Sequence, residues 1–309
     1  MSGSLSVGPG DAVALVSPAS ASPPEAIARA HRLLRSWGLH VVREAHGPGN
    51  GAPARPLSYL AAPDADRLAE FQAAWDDPDV RAVVCLRGGY GTQRIVDGID
   101  WDRGRKLLVG FSDITALHLA LWTATGLPSL HGPAVGGRAA GPTAAAAESL
   151  RRAMASFGTS ATVRAVPTEP TFALRNGTGT VQGVLLGGNL AVLATSLVEP
   201  RSWTGTVLLL EDVDEPPYRV DRWLTFLGRS GVLGQVSGVA LGRFNGSAYS
   251  GETTRRVLAV LDDRLRHFGV PFVGGFPVGH GPGAVTVPLG QPATLDLDRG
   301  ALRLAGGSG

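Results

Sequence analysis

Cysteine is almost absent from this chain. Cys85 is the only one in 309 residues, which excludes an intramolecular disulfide and a cysteine-based zinc site. Lysine is as scarce, with Lys106 alone. Arginine supplies the remaining positive charge, scattered among Asp and Glu. The formal net charge is only +2, although the pI is near 9.0. No basic run stands out, so nucleic acid is not an expected partner. No apolar run approaches the roughly 20 residues that span a bilayer. The opening "MSGSLSVGPGDAVALVSPAS" has no basic region leading into a long apolar core, so it does not read as a signal peptide. A soluble, cytoplasmic protein without a membrane partner is expected. There is no H-E-x-x-H or comparable ligand cluster, which argues against a metal.

Apolar residues, by contrast, make up 44% of the chain and charged residues 17%, the balance of a globular protein. The 43 glycines and 22 prolines imply many turns and close backbone approaches. Periodicity gives a regular alternation in the first half. "DAVALVSPAS", "LHVVRE", "RAVVCLRGGYG", "KLLVGF" and "PSLHGPAV" read as strands. "PPEAIARAHRLLRSWG", "PDADRLAEFQAAWDDPDV" and "ITALHLALWTATG" read as helices, and "TQRIVDGIDWD" as a short one. Strand–helix alternation predicts a parallel sheet with helices on both faces. The divisions expected are an N-terminal α/β domain over 1–140, a linker region over 141–180, and a smaller, mixed C-terminal domain over 181–309.

Ligands of such sheets bind beyond the C-terminal ends of the strands, and polar features stand at three of these ends. Ser112 follows "KLLVG", and strand, tight turn and helix together suggest a nucleophile elbow. The amide of Asp113 would then help to stabilise an oxyanion. The second glycine of G-x-S-x-G is replaced by Ile114, and Ser112 or Asp113 would equally serve as a helix N-cap. The loop "RGGYG", Arg87 to Gly91, offers backbone N–H groups to an anion or is an ordinary turn. Without G-K-[ST] it is no phosphate-binding P-loop. Glu211 ends "TVLLLE", where a buried carboxylate needs a partner. That partner is a catalytic group or an arginine such as Arg219 or Arg222.

Of the seven histidines, His280 in "PVGHGPGAV" is the best candidate base, since imidazole titrates near neutrality. A plain loop histidine is the other role open to it. His131 also follows a strand and is a second pocket candidate. Ser112, Glu211 and His280 together have the composition of a hydrolytic triad. The rival class is a binding module that closes on an anion at "RGGYG", with Ser112 as a cap. A cysteine-dependent amidotransferase is disfavoured, because the elbow carries serine.

"LRGGYGTQRIVDGIDWD", "GFSDITALHLAL", "LHGP", "LLGGNLAVLATSL", "LLLEDVDEPPYRVDRWLTFL" and "VGHGPGAVTVPLG", in this order, resemble the LD-carboxypeptidase family of serine peptidases. The resemblance covers nearly the whole chain. It implies an N-terminal α/β domain resembling class I glutamine amidotransferases and a smaller β-rich C-terminal domain. It implies a triad of Ser112, Glu211 and His280, and so selects Glu211 within "EDVDE". It also implies an oxyanion hole from Asp113 and the Gly88–Gly89 pair, and catalysis without metal or organic cofactor. The implied reaction releases terminal D-alanine from a murein tetrapeptide during peptidoglycan recycling, by a cytoplasmic homodimer. A second branch of the family gives immunity to microcin C-like toxins by cleaving peptidyl- or aminoacyl-nucleotide amides. The chain shows no extended, aromatic-bearing insertion before "LLGGNLAVL", which favours the murein branch.

Overall fold

The early runs "AVALV", "AVVCL" and "LLVG" are apolar almost without a break, so these strands need cover on both faces. The computed structural model of the chain describes residues 5–45, 57–137, 141–196 and 202–306. Its strands are β1 Ala12–Val16, β2 His40–Arg43, β3 Val80–Cys85, β4 Leu107–Gly110, β5 Ser129–His131, β6 Ala161–Arg164, β7 Arg175–Asn176, β8 Thr180–Asn189, β9 Thr206–Val213, β10 Gly238–Asn245, β11 Phe272–Val273, β12 Val287–Leu289, β13 Pro292–Asp296 and β14 Ala301–Leu304. Its α-helices are α1 Pro24–Ser36, α2 Asp64–Asp76, α3 Thr115–Thr125, α4 Ala144–Ala155, α5 Leu190–Thr195, α6 Pro217–Arg229, α7 Val232–Gln235 and α8 Gly251–His267. The "TQRIVDGIDWD" stretch, expected as one short helix, forms three separate 3-10 turns.

Two compact units divide the chain: residues 1–158 with 286–288, and residues 159–285 with 289–308. The first is built on a sheet of order β12-β5-β4-β3-β1-β2. The pairs β2/β1, β1/β3, β3/β4 and β4/β5 are all parallel. Successive side chains of a strand point to opposite faces, which sorts the core into two layers. Val13, Leu15, Val84 and Val109 pack with Leu34 of α1 and Leu150 of α4. Ala14, Val16, Val83 and Leu108 pack with Phe71 and Trp75 of α2 and Leu117 of α3. The lone lysine is used structurally: Lys106 is buried and its Nζ donates to the Val80 carbonyl at 3.0 Å.

The segment 141–180 is shared. Helix α4 belongs to the first unit, and β6 and β7 to the second. The second unit carries a mixed sheet of order β6-β14-β13-β8-β9-β10-β11-β7. Its β8/β9, β9/β10 and β10/β11 pairs are parallel, and the outer pairs are antiparallel. Helix α6 buries Val220, Leu224 and Leu227, and α8 buries Val257, Leu261 and Leu265, one stripe per helix at helical spacing. No helix among the described residues is long and apolar enough to cross a membrane.

Candidate active site

Strand β4 ends at Gly110, and a single 3-10 turn, Ser112–Ile114, leads into α3. Ser112 has φ 62°, in the left-handed region that a residue with a Cβ enters only at a cost of about 1–3 kcal/mol. Such strain is characteristic of a serine held out at a strand-to-helix turn. Neither Ser112 nor Asp113 takes a cap position: Phe111 precedes the 3-10 turn and Ile114 precedes α3. The departure from G-x-S-x-G is also explained. A Cβ at Gly110 would collide with the Ile114 side chain, so one glycine makes room for the isoleucine that replaces the other.

The glycine loop lies directly against this turn. A methyl on Gly88 would lie 2.8 Å from the Asp113 amide nitrogen, the Phe111 carbonyl oxygen and Ser112 Cβ. Gly89 has φ +110° and packs on Ser20. The two segments are also bonded together. The Asp113 carboxylate accepts the Thr92 amide at 2.9 Å, and the Thr92 hydroxyl donates to the Asp113 carbonyl at 2.7 Å. Burial pushes the Asp113 carboxyl up, against the pull of the Thr92 bonds. The Asp113 side chain is therefore an anchor, and its backbone faces the glycine loop.

Arg67 of α2 is a site-building residue that the sequence reading missed. Its side chain is fully buried. Its guanidinium donates to Gly91 O at 2.8 Å, to Ala62 O at 3.1 Å and to Pro18 O, and it pairs with Asp64. Three loops of the first unit, the glycine loop among them, thus share one cation. An arginine three residues after an aspartate on a helix ordinarily reads as a solvated ion pair, so the sequence carried no signal for this role.

His131 is not a pocket residue. It is fully buried within β5, with its ring 5.1 Å from Phe111 and 6.1 Å from His118. His118 Nε2 lies 3.3 Å from Gly110 O. Burial, with His131 adding to it, drives the His118 pKa to about 3, so it acts as a neutral donor beneath the elbow.

In the second unit, Glu211 and His280 form a pair. Glu211 is wholly buried in β9, His280 is 22% exposed, and Nδ1 lies 2.8 Å from Oε2. Glu211 thus meets the histidine, and Arg219 lies 3.8 Å from Glu215. Successive residues of β9 point to opposite faces. Asp212, the neighbour of Glu211, faces the start of α5, accepting from Asn189 Nδ2 at 2.8 Å and the Ala191 amide at 3.0 Å. Glycine at 279, with φ +116°, leaves room for Glu211: a methyl there would lie 2.9 Å from its Oε2.

The loop carrying His280 is braced from β10. Asn245 Nδ2 donates to His280 O at 2.6 Å, and Arg243 Nη1 donates to Pro282 O at 2.9 Å. Glu169 fixes Arg243 in turn, with Nη2–Oε1 at 2.6 Å. Burial lowers the basicity of His280, but the Glu211 charge and hydrogen bond, with Asp212 and Asp214 behind them, outweigh it. The net shift is upward. Asp212 is pushed up to about 7 by burial and by the Glu211 charge.

A strained serine at a strand-to-helix turn and a buried carboxylate–histidine pair are the parts of a serine hydrolase on an α/β scaffold. Residues 13–132 match the LD-carboxypeptidase N-terminal domain and residues 182–295 the LD-carboxypeptidase C-terminal domain. The chain belongs to the LD-carboxypeptidase family and is a serine peptidase. A Streptomyces coelicolor protein named as a carboxypeptidase is 45% identical over 96% of this chain and 94% of its own. The murein tetrapeptide carboxypeptidase of Pseudomonas aeruginosa is 34% identical over 93% of this chain and 94% of its own. Among solved structures, muramoyltetrapeptide carboxypeptidase from Oxalobacter formigenes is similar with a TM-score of 0.77 and 30% identity, covering 95% of this chain and 97% of its own. The microcin C7 self-immunity protein MccF has a TM-score of 0.80 at 22% identity, covering 97% of both chains, which is a likeness of fold.

Proposed function

We propose that this chain is an L,D-carboxypeptidase that releases the terminal D-alanine of a murein tetrapeptide. The left-handed backbone of Ser112 supports the nucleophile, and the likeness to the murein tetrapeptide carboxypeptidase of Pseudomonas aeruginosa supports the substrate. Ser112 Oγ attacks the scissile carbonyl and His280 Nε2 takes its proton. Glu211 holds Nδ1–H, which sets the tautomer and stabilises the imidazolium that forms. The amides of Asp113 and of the Gly88–Gly89 pair receive the negative charge on the carbonyl oxygen. Collapse of this intermediate breaks the C–N bond, and His280 returns the proton to the departing amine of D-alanine. Water, deprotonated by His280, then hydrolyses the ester on Ser112. None of these steps uses a metal or an organic cofactor. The reading includes a cytoplasmic homodimer serving peptidoglycan recycling.

Assay of D-alanine release from the tetrapeptide, with Ser112→Ala alongside, tests it. Release by the parent and none by the variant is expected, with unchanged melting temperature. Release by both would overturn Ser112 as nucleophile. No release by the parent would overturn the murein substrate and turn attention to aminoacyl-nucleotide amides, in view of the MccF-like fold. Against that second substrate, the aromatic side chain offered shortly before β8 is Phe172, and Arg175 already lies over its ring at 5.5 Å.

A further inference from the structure

We propose that a cleft beside the glycine loop binds the free carboxylate of the residue to be released, with Arg87 as its cation. The proposal rests on Ser112 as the nucleophile of a carboxypeptidase. The cleft lies within the first unit, has a volume of about 420 Å³, and is lined by Ser20, Ala21, Pro23, Ser58, Tyr59 and Arg87. One cation and no carboxylate stand among these six residues.

Its position relates it to the elbow through contacts already described. Gly88 touches Ser112, Gly89 touches Ser20, and Arg87 immediately precedes both glycines. The guanidinium is held along the wall: Nη1 donates to Ala21 O at 3.2 Å. Nη2 lies 3.5 Å from where a methyl on Gly89 would stand. In a carboxypeptidase substrate the terminal carboxylate lies one residue, about 3.8 Å, beyond the carbonyl under attack. Ser20 Oγ accepts the Tyr90 amide at 3.2 Å and keeps its own proton for an anion oxygen.

Two aromatic rings flank the cleft. Tyr59 and Tyr90 are each 49% exposed, with ring centroids 5.9 Å apart. Exposed paired aromatics suit contact with a ligand better than core packing. A larger cleft, about 560 Å³, lies in the second unit and includes Arg303 in its lining. That arginine pairs with Asp296 at 2.7 Å, and no contact relates this second cleft to the elbow among those described.

Titration of N-acetyl-D-alanine and of N-acetyl-D-alaninamide into the full chain reads the site without turnover. The acid should bind roughly tenfold or more tightly than the amide, as expected for a charge-assisted pair. In Arg87→Met the acid should fall to the level of the amide. Arg87→Lys, which keeps the charge but not the fork, should fall between. Tyr59→Ala, an exposed change that does not threaten the fold, should weaken acid and amide alike. Equal binding of acid and amide by the parent, binding of neither at millimolar concentration, or an unchanged ratio in both Arg87 variants would overturn the proposal. A parent that binds the acid yet releases no D-alanine from the tetrapeptide overturns the murein reading and leaves the carboxylate site standing. Undiminished kcat/KM for D-alanine release in Arg87→Met overturns the site and leaves the reading.

Discussion

Gly88 has no freedom to carry a side chain, because three atoms of the elbow would lie 2.8 Å from its Cβ. In Gly88→Ala the clash falls on backbone that cannot rotate away, so the loop must withdraw from the Asp113 amide. Loss of one oxyanion donor lowers kcat by roughly a hundredfold or more. The expected result is that loss in D-alanine release, with a folded protein by circular dichroism. The charge on Glu211 has a different signature. His280 is competent as a base only when neutral, and its pKa is held above the ordinary value. Activity therefore falls as pH drops through that raised pKa. Glu211→Gln removes the largest influence raising it, so the acid limb of the residual kcat/KM profile should move to lower pH. A limb that stays in place would exclude His280 as the titrating group.

At the level of elements, the first unit concentrates its loop order on one buried cation. Arg67 ties Pro18, Ala62 and Gly91 to α2. Removing it leaves carbonyls and the Asp64 carboxylate without that partner, although Arg94 still pairs with Asp64 at 2.7 Å. Leaving buried carbonyl acceptors without their donor destabilises by about 1–3 kcal/mol. Arg67→Met should lower denaturant stability on that scale and depress kcat through the displaced glycine loop. A variant of parental stability would show that the loops are ordered without it. The elements themselves were largely legible. Apolar alternation and helical spacing marked the strands and long helices because each buries one face or two. The 3-10 turns at 92–103 were not, because short turns take their shape from what they pack against, here Trp101 against Trp75 at 5.1 Å. The Arg67 role was hidden for a related reason: its partners are carbonyls, which every residue has.

For the whole molecule, Cys85 offers a reporter. It is buried in β3, and burial pushes its thiol far above the ordinary range, with Glu70 adding to it. A thiol so placed reacts only when the sheet opens. Labelling with a thiol reagent should be negligible in the folded chain and become complete as the first unit unfolds in denaturant. Rapid labelling under native conditions would show that the centre of the sheet opens far below global unfolding.

The sequence by itself carried the chemistry as an inventory: a serine at a strand end, a glycine pair, an acid and a glycine-flanked histidine. It also carried the order of strands and helices, since burial demands a local period that can be read from one strand or helix at a time. The family resemblance chose among the acids. What only the tertiary structure decided was which groups meet. Glu211 and His280 are 69 residues apart, and nothing local determines whether the acid finds histidine or arginine. The left-handed backbone of Ser112, the contact that requires glycine at 88 and the burial of His131 likewise follow from neighbours brought in from other strands. A local pattern specifies what must be buried, and long-range packing specifies against what.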